Sequence, residues 1–117
     1  MAVNDTLRFS GFASSTTTRL NSTIESNLDD IARFLLENPG FAVRIEGHSD
    51  NQGTFAQNEQ RANDRARNAV NYLISKGVPS SRIFSRGRGS VAARVPNTSP
   101  TNRAINRRVE VILLRAQ

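Results

Sequence analysis

Phe41-Ala42-Val43-Arg44-Ile45-Glu46-Gly47 alternates with period two and runs directly into His48-Ser49-Asp50-Asn51-Gln52-Gly53, a polar stretch that ends in glycine. The alternation predicts a strand over residues 41–46, and the polar stretch predicts a loop at its C-terminal end. That is where open sheets with helical crossovers usually place ligand sites. On the N-terminal side, Leu20, Ile24, Leu28, Ile31 and Leu35 recur at steps of four, four, three and four, with Phe34 and Leu36 widening the stripe. This spacing predicts an amphipathic helix, which Asn38-Pro39-Gly40 ends because proline cannot continue the hydrogen-bond ladder. Leu7-Arg8-Phe9 reads as a short first strand, and residues 14–18 form a hydroxyl-rich run suited to helix capping.

C-terminal to the loop, a second helix begins between Thr54 and Asn58. Thr54 with Gln57 can form a capping box, and Asn58 is itself a good N-cap. Its inner stripe is Ala62, Ala66, Ala69, Val70 and Leu73, with Gly77 closing it, and the alanines predict close packing of helix on sheet. Ala66, at the centre of the stripe, is expected to be buried. Arg82-Ile83-Phe84-Ser85 reads as a third strand, residues 90–102 as a loop without period, and residues 108–114 as the strongest strand in the chain. The expected fold is α+β, a two-layer sandwich in which two main helices cover one face of a mixed four-stranded sheet, in the order βαβαββ.

Length and composition agree with one domain over residues 1–117, its core spanning about 7–114. For a chain of 117 residues, surface scaling predicts roughly 6,300 Å² of folded surface. With no Cys and a single His, a disulfide scaffold, a Cys-ligated metal, a thiol nucleophile and a multi-histidine metal site are excluded. No stretch approaches the roughly 18 apolar residues of a membrane span, and Met1 to Asp5 lack the pattern of a secretory signal. The charge is lopsided. Residues 1–60 carry four Arg against eight acids, whereas residues 61–117 carry twelve basic residues against Asp64 and Glu110, for a total of +6. Such a basic half invites a nucleic-acid reading, but Phe9, Phe41 and Phe84 lack the interleaved aromatic pattern of a base-stacking sheet. Arg82, Arg86, Arg88 and Arg94 are expected to form a solvated face.

His48, Ser49 and Asp50 have the composition of a hydrolytic triad. In an extended segment, however, neighbouring side chains point to opposite faces and cannot converge. No catalytic residue is expected, and His48 is read as structural or loop-shaping. Asp50 and Arg65 are the more informative pair. At about 100° per residue, Asn58 and Arg65 fall within about 20° of one another, on a line bordering the alanine stripe, from which a side chain can reach the preceding loop. From these residues alone, the pair is either a salt bridge closing the loop or part of a ligand site.

Taken together, Ile45-Glu46-Gly47-His48-Ser49-Asp50, Gly53, Asn58, Arg65-Ala66 and Asn106-Arg107-Arg108-Val109-Glu110 resemble the OmpA-like peptidoglycan-binding domain, over roughly residues 7–114. The resemblance implies that Asp50 holds the ammonium, and Arg65 the carboxylate, of the diaminopimelate in a peptidoglycan stem peptide. It implies further that Asn58 lines the pocket, and that Ser49 supplies the hydroxyl where the family usually has Thr. It puts paired arginines at Arg107 and Arg108, of which Arg107 is the one expected to reach the ligand. Residues 11–18 are longer and more hydroxyl-rich than the family's usual first loop, and residues 58–61 depart from its usual pattern.

The implied function is a noncovalent peptidoglycan anchor for an envelope protein in the periplasm of a Gram-negative bacterium. No enzyme activity, cofactor, metal or nucleic-acid partner is implied, and membrane attachment would come through segments outside this chain. The alternative is the same fold serving as a protein-contact module in a stator, secretion or signalling complex. Asp50→Ala and Arg65→Ala are both expected to weaken binding while folding survives.

Overall fold

The computed structural model describes residues 5–115. Met1 to Asn4, read above as lacking a signal pattern, lie outside the described residues. The chain runs β1 (Thr6–Ser10), α1 (Ser22–Glu37), β2 (Phe41–Gly47), α2 (Phe55–Ser75), a single 3-10 turn (Ser80–Arg82), β3 (Ile83–Gly87), α3 (Pro100–Asn106) and β4 (Arg108–Arg115). The four strands form one sheet in the order β1-β4-β2-β3, with β4 antiparallel to both β1 and β2, and β3 parallel to β2. The accessible surface, 6095 Å², matches the scaling expectation. No described helix is long and apolar enough to cross a membrane.

Both long helices lie on one face of the sheet, as the patterning requires. Ile24, Leu28, Ile31 and Leu35 of α1 and Ala66, Ala69 and Leu73 of α2 meet Val43 and Ile45 of β2 and Val109, Val111 and Leu113 of β4 in one core. Leu36 does not join the α1 stripe and is 50% exposed. The alanines do bring α2 close to β2. A Cβ at Gly47 would sit inside the Ala62 carbonyl, and Ala66, 2% exposed, follows one turn on.

The ends of the helices follow local chemistry. Thr54 caps α2 through the full capping box with Gln57, which settles the start left open between Thr54 and Asn58. At the other end Gly77 takes a φ of 101°, which lets its own N–H reach the Ile74 carbonyl and the Val78 N–H reach the Leu73 carbonyl. The cap of α1 is not the hydroxyl-rich run but Asn21, whose Oδ1 accepts from the Ile24 N–H at 2.8 Å. Residues 14–18 are thereby free for other contacts.

Residues 90–102 were expected to be loop throughout, yet α3 begins inside them. Ser99 caps it, Pro100 occupies its first turn, and Asn106 at its end holds the incoming loop. The Asn106 Oδ1 accepts from the Arg94 and Val95 N–H groups, and its Nδ2 donates to the Val95 carbonyl and to Asn97 Oδ1. Arg82 also departs from expectation. Its guanidinium donates to the carbonyls of Leu35, Asn38 and Phe41, so it ties the end of α1 to β2 instead of forming part of a solvated face.

Candidate functional site

Beyond Gly47 the chain stays pinned at the sheet edge. The His48 N–H donates to the Arg108 carbonyl at 2.8 Å and the Ser49 N–H to the Gly89 carbonyl at 2.9 Å, so segments on both sides fix the path of residues 48–50. Extended geometry then sends successive side chains to different neighbours. The His48 ring goes to the open face of the sheet. Ser49 Oγ donates to the Asp50 carbonyl at 2.9 Å, and Asp50 turns toward the loop after β1. The hydrolytic composition of these three residues therefore has no matching geometry.

Asp50 is fully buried. Its Oδ2 accepts from Ser15 Oγ at 2.6 Å and from Arg107 Nη1 at 3.0 Å, and its Oδ1 accepts from the Gln52 N–H at 3.1 Å. Burial pushes its carboxyl upward, but the donors, Ser15 first, outweigh that and hold it below the usual carboxylate range. The ion pair of Asp50 is with Arg107, not Arg65. Arg107 is also held by the Phe12 carbonyl at 2.9 Å. The next residue, Arg108, begins β4 and points to the opposite face, where it binds Glu110 at 2.7 Å. Of the two arginines, Arg107 is therefore the one placed beside Asp50. Arg107 is the C-cap that follows α3, however, and is not a strand residue.

Arg65 is the largest fully buried side chain. Its Nη1 donates to the His48 carbonyl at 2.9 Å. Its Nε and Nη2 donate to the Thr17 carbonyl at 3.0 and 2.8 Å, and Nη2 also reaches the carbonyls of Ser15 and Ser14 at 3.1 and 3.2 Å. The Phe12 ring lies 4.8 Å from the guanidinium carbon, a cation–π distance. Burial lowers its pKa to about 10, a fall that nearby Asp50 opposes, so the group remains a cation at neutral pH. Asp50 and Arg65 are thus brought to one site, each bonded to the same segment, residues 14–17, and not to one another.

Asn58 lies buried on the same line of α2 as Arg65, with its Oδ1 accepting from Arg61 Nη1 at 3.2 Å. Arg61 Nη1 also donates to the Gln52 carbonyl at 2.7 Å, placing this cation at the rim. Two participants escaped the sequence reading. Ser15 sat within a run read as capping, although the unusual length of residues 11–18 was the available signal. Arg61 carried no signal beyond its place in the atypical stretch 58–61. A hollow of about 660 Å³ lies elsewhere, lined by Arg19, Leu20, Glu25, Asn68, Asn71 and Tyr72.

The burial of Arg65 revises one expectation. Arg65→Ala would leave the carbonyls of Ser14, Ser15, Thr17 and His48 without their donor, at a cost of about 3 kcal/mol or more, so folding would not be spared. Asp50→Asn is the cleaner probe, because the amide oxygen still accepts from Ser15 or Gln52.

On the open face of the sheet, Glu46, His48 and Glu110 bring ligand-type atoms within 4.8 Å of one another. The His48 Nε2 lies 3.9 Å from a carboxylate oxygen of each glutamate. Arg86 and Arg88 face Glu46, while Arg8 and Arg108 face Glu110, so four guanidinium groups already outweigh two carboxylates and would repel a bound cation. Burial, then Arg108, lowers the His48 pKa to about 4. His48 is therefore a neutral structural residue near pH 7.

A sequence model described as the OmpA family matches residues 12–107. Among curated relatives, the peptidoglycan-binding protein ArfA of Mycobacterium tuberculosis is 36% identical over 86 residues, covering 74% of this chain and 26% of ArfA. The peptidoglycan-associated lipoprotein of Buchnera aphidicola is 33% identical over 94 residues, covering 80% of this chain and 54% of that protein. This chain therefore spans about a quarter of the first relative and about half of the second. Among solved structures, the C-terminal domain of Helicobacter pylori MotB superposes with a TM-score of 0.83 at 26% identity, covering 91% of this chain and 82% of that one. The matched region contains β2, the whole of α2 and Arg107, and with them every residue of the site: the chain belongs to the OmpA family.

Proposed function

We propose that this chain is a binding module that grips peptidoglycan noncovalently through the diaminopimelate of the stem peptide and so anchors an envelope protein to the cell wall from the periplasmic side. The observation that carries the reading is the pairing of a buried carboxylate, Asp50, with a buried guanidinium, Arg65, that are not bonded to one another and turn toward a common segment. The end of diaminopimelate has an ammonium and a carboxylate on one carbon. Such a group needs an anion and a cation held separately a few ångströms apart, and charge-assisted bonds make each contact stronger than a neutral one. The family, and the names of two relatives, one peptidoglycan-binding and one peptidoglycan-associated, support peptidoglycan as the ligand. In this reading Asp50 takes the ammonium and Arg65 the carboxylate. Arg107 keeps Asp50 ionised and aimed, while Asn58 and Ser49 shape the pocket wall. In this reading the chemistry of the site is recognition.

The closure of the site by residues 14–17 favours a second reading, in which the same fold contacts a protein and the buried pair is structural. Cosedimentation with purified sacculi separates the two. The wild-type chain should pellet with sacculi, and folded Asp50→Asn should bind more weakly by about 1.5–3 kcal/mol, the range for a hydrogen bond to a charged group. A folded wild-type chain that stays in the supernatant favours the protein-contact reading.

A further inference from the structure

Residues 13–18 form a strap with apolar anchors and a polar middle. Phe12, 1% exposed, fixes one end in the core, and Leu20 packs against the core at the other. Between them Ala13, Ser14, Ser15, Thr16, Thr17, Thr18 and Arg19 bury no side chain fully. What holds this stretch down is a set of hydrogen bonds to the proposed clamp and to α2: Ser15 Oγ on Asp50, the carbonyls of Ser14, Ser15 and Thr17 on Arg65, and the Thr18 carbonyl on Asn68 Nδ2 at 2.9 Å. A segment with few apolar contacts, held by polar bonds, can be displaced by a ligand that offers the same donors and acceptors.

The chemistry of these bonds matches that of the ligand. The Ser15 hydroxyl presents a donor to the Asp50 carboxylate, where an ammonium would present one, at 2.6 Å. The three carbonyls present acceptors to the Arg65 guanidinium, where a carboxylate would present its oxygens. Once the strap leaves, Arg65 retains its bond to the His48 carbonyl and its contact with Phe12, and Asp50 retains Arg107 and the Gln52 N–H. Both charges therefore stay in position while each loses the partners that a zwitterion could replace.

We propose that residues 13–18 are a built-in stand-in for the ligand: the strap fills the clamp, must swing out for the stem peptide to enter, and sets the affinity through Ser15, whose hydroxyl competes with the ligand's ammonium for Asp50. The proposal rests on the reading of Asp50 and Arg65 as the diaminopimelate clamp. It makes Ser15 a specificity-determining residue, because a ligand lacking either charge cannot replace both halves of what the strap supplies.

The test titrates synthetic L-Ala–D-γ-Glu–meso-diaminopimelate into two variants, each checked for native fold by circular dichroism. Ser15→Ala removes the competing hydroxyl and leaves the clamp intact, so the tripeptide should bind roughly three- to tenfold more tightly than to wild type, the fold-change corresponding to one ordinary hydrogen bond. The second variant, Thr18→Cys with Asn68→Cys, targets the point where the Asn68 side chain bonds to the Thr18 backbone carbonyl, and formation of the disulfide is verified by thiol titration before binding is measured. It is a clean pair because the chain has no other cysteine. Its oxidised form should bind at least tenfold more weakly than its reduced form. Unchanged or weaker binding by Ser15→Ala, or equal binding by the oxidised and reduced forms, overturns the strap while leaving the clamp standing. Absence of binding by wild type and Ser15→Ala alike overturns the clamp and the strap together.

Discussion

His48 offers a test that does not depend on any ligand. It is 2% exposed, neither ring nitrogen has a hydrogen-bond partner, and burial with the neighbouring Arg108 lowers its pKa from 6.5 to about 4, against the pull of Glu110 and Glu46. Between those two values the unfolded chain takes up a proton that the folded chain refuses. Stability from this source is therefore fully present above about pH 6.5 and is lost as the pH falls toward 4. At about 1.4 kcal/mol per pH unit the full effect is roughly 3 kcal/mol, of which about 2 kcal/mol should be gone by pH 5. The interval from pH 7 to pH 5 isolates this effect because His48 is the only histidine, and the lowered carboxyls of Asp50 and Glu110 lose their contribution mainly below about pH 5. Urea unfolding at pH 7 and pH 5 should show the midpoint of the wild type falling by about 1–2 M. In His48→Gln, which titrates nowhere in this range, most of that fall should disappear. A His48→Gln chain with the same pH dependence as wild type would refute the assignment of the buried neutral imidazole as its source.

Ala66→Leu should cost about 1–3 kcal/mol through overpacking against β2, and an unchanged melting temperature would mean that α2 does not press on the sheet there. Asn106→Ala removes four hydrogen bonds that join α3 to the loop before it. It should cost about 2 kcal/mol or more in denaturant unfolding, and a loss under 0.5 kcal/mol would contradict the role assigned to that side chain. Arg86 faces Glu46 but is more than half exposed, so Arg86→Gln should change sacculus binding by well under tenfold, whereas a tenfold loss would point to surface charge in place of a pocket.

Periodicity made the two long helices and the faces of the strands legible, because each buries one continuous apolar stripe. It was silent on neighbours. Val109, Val111 and Leu113 show that β4 has an inner face, but nothing in their alternation places β4 between β1 and β2. A cross-strand reading of charge would have helped, since Arg8, Glu110, Glu46 and Arg86 form one row across all four strands. The short α3 was hidden because it has almost no apolar stripe. Its signal was instead Ser99 before Pro100, a cap followed by the one residue best suited to a first turn. Asp50, Asn58, Arg65 and Arg107 were singled out by motif, helical phase and the family resemblance. The strap was not, because its bonds to Arg65 come from backbone carbonyls, which any residue supplies and no sequence pattern marks.

The central claim is that Asp50 and Arg65 read the two charges of one zwitterion. Calorimetric titration of the wild-type chain with two tripeptides that differ only at the third residue, meso-diaminopimelate or L-lysine, tests it most directly. Both carry the side-chain ammonium, and only the first carries the second carboxylate. The diaminopimelate peptide should bind roughly tenfold or more tightly, the worth of a charge-assisted contact of about 1.5–3 kcal/mol. Equal affinity of the folded chain for the two peptides would contradict the assignment of Arg65 to that carboxylate.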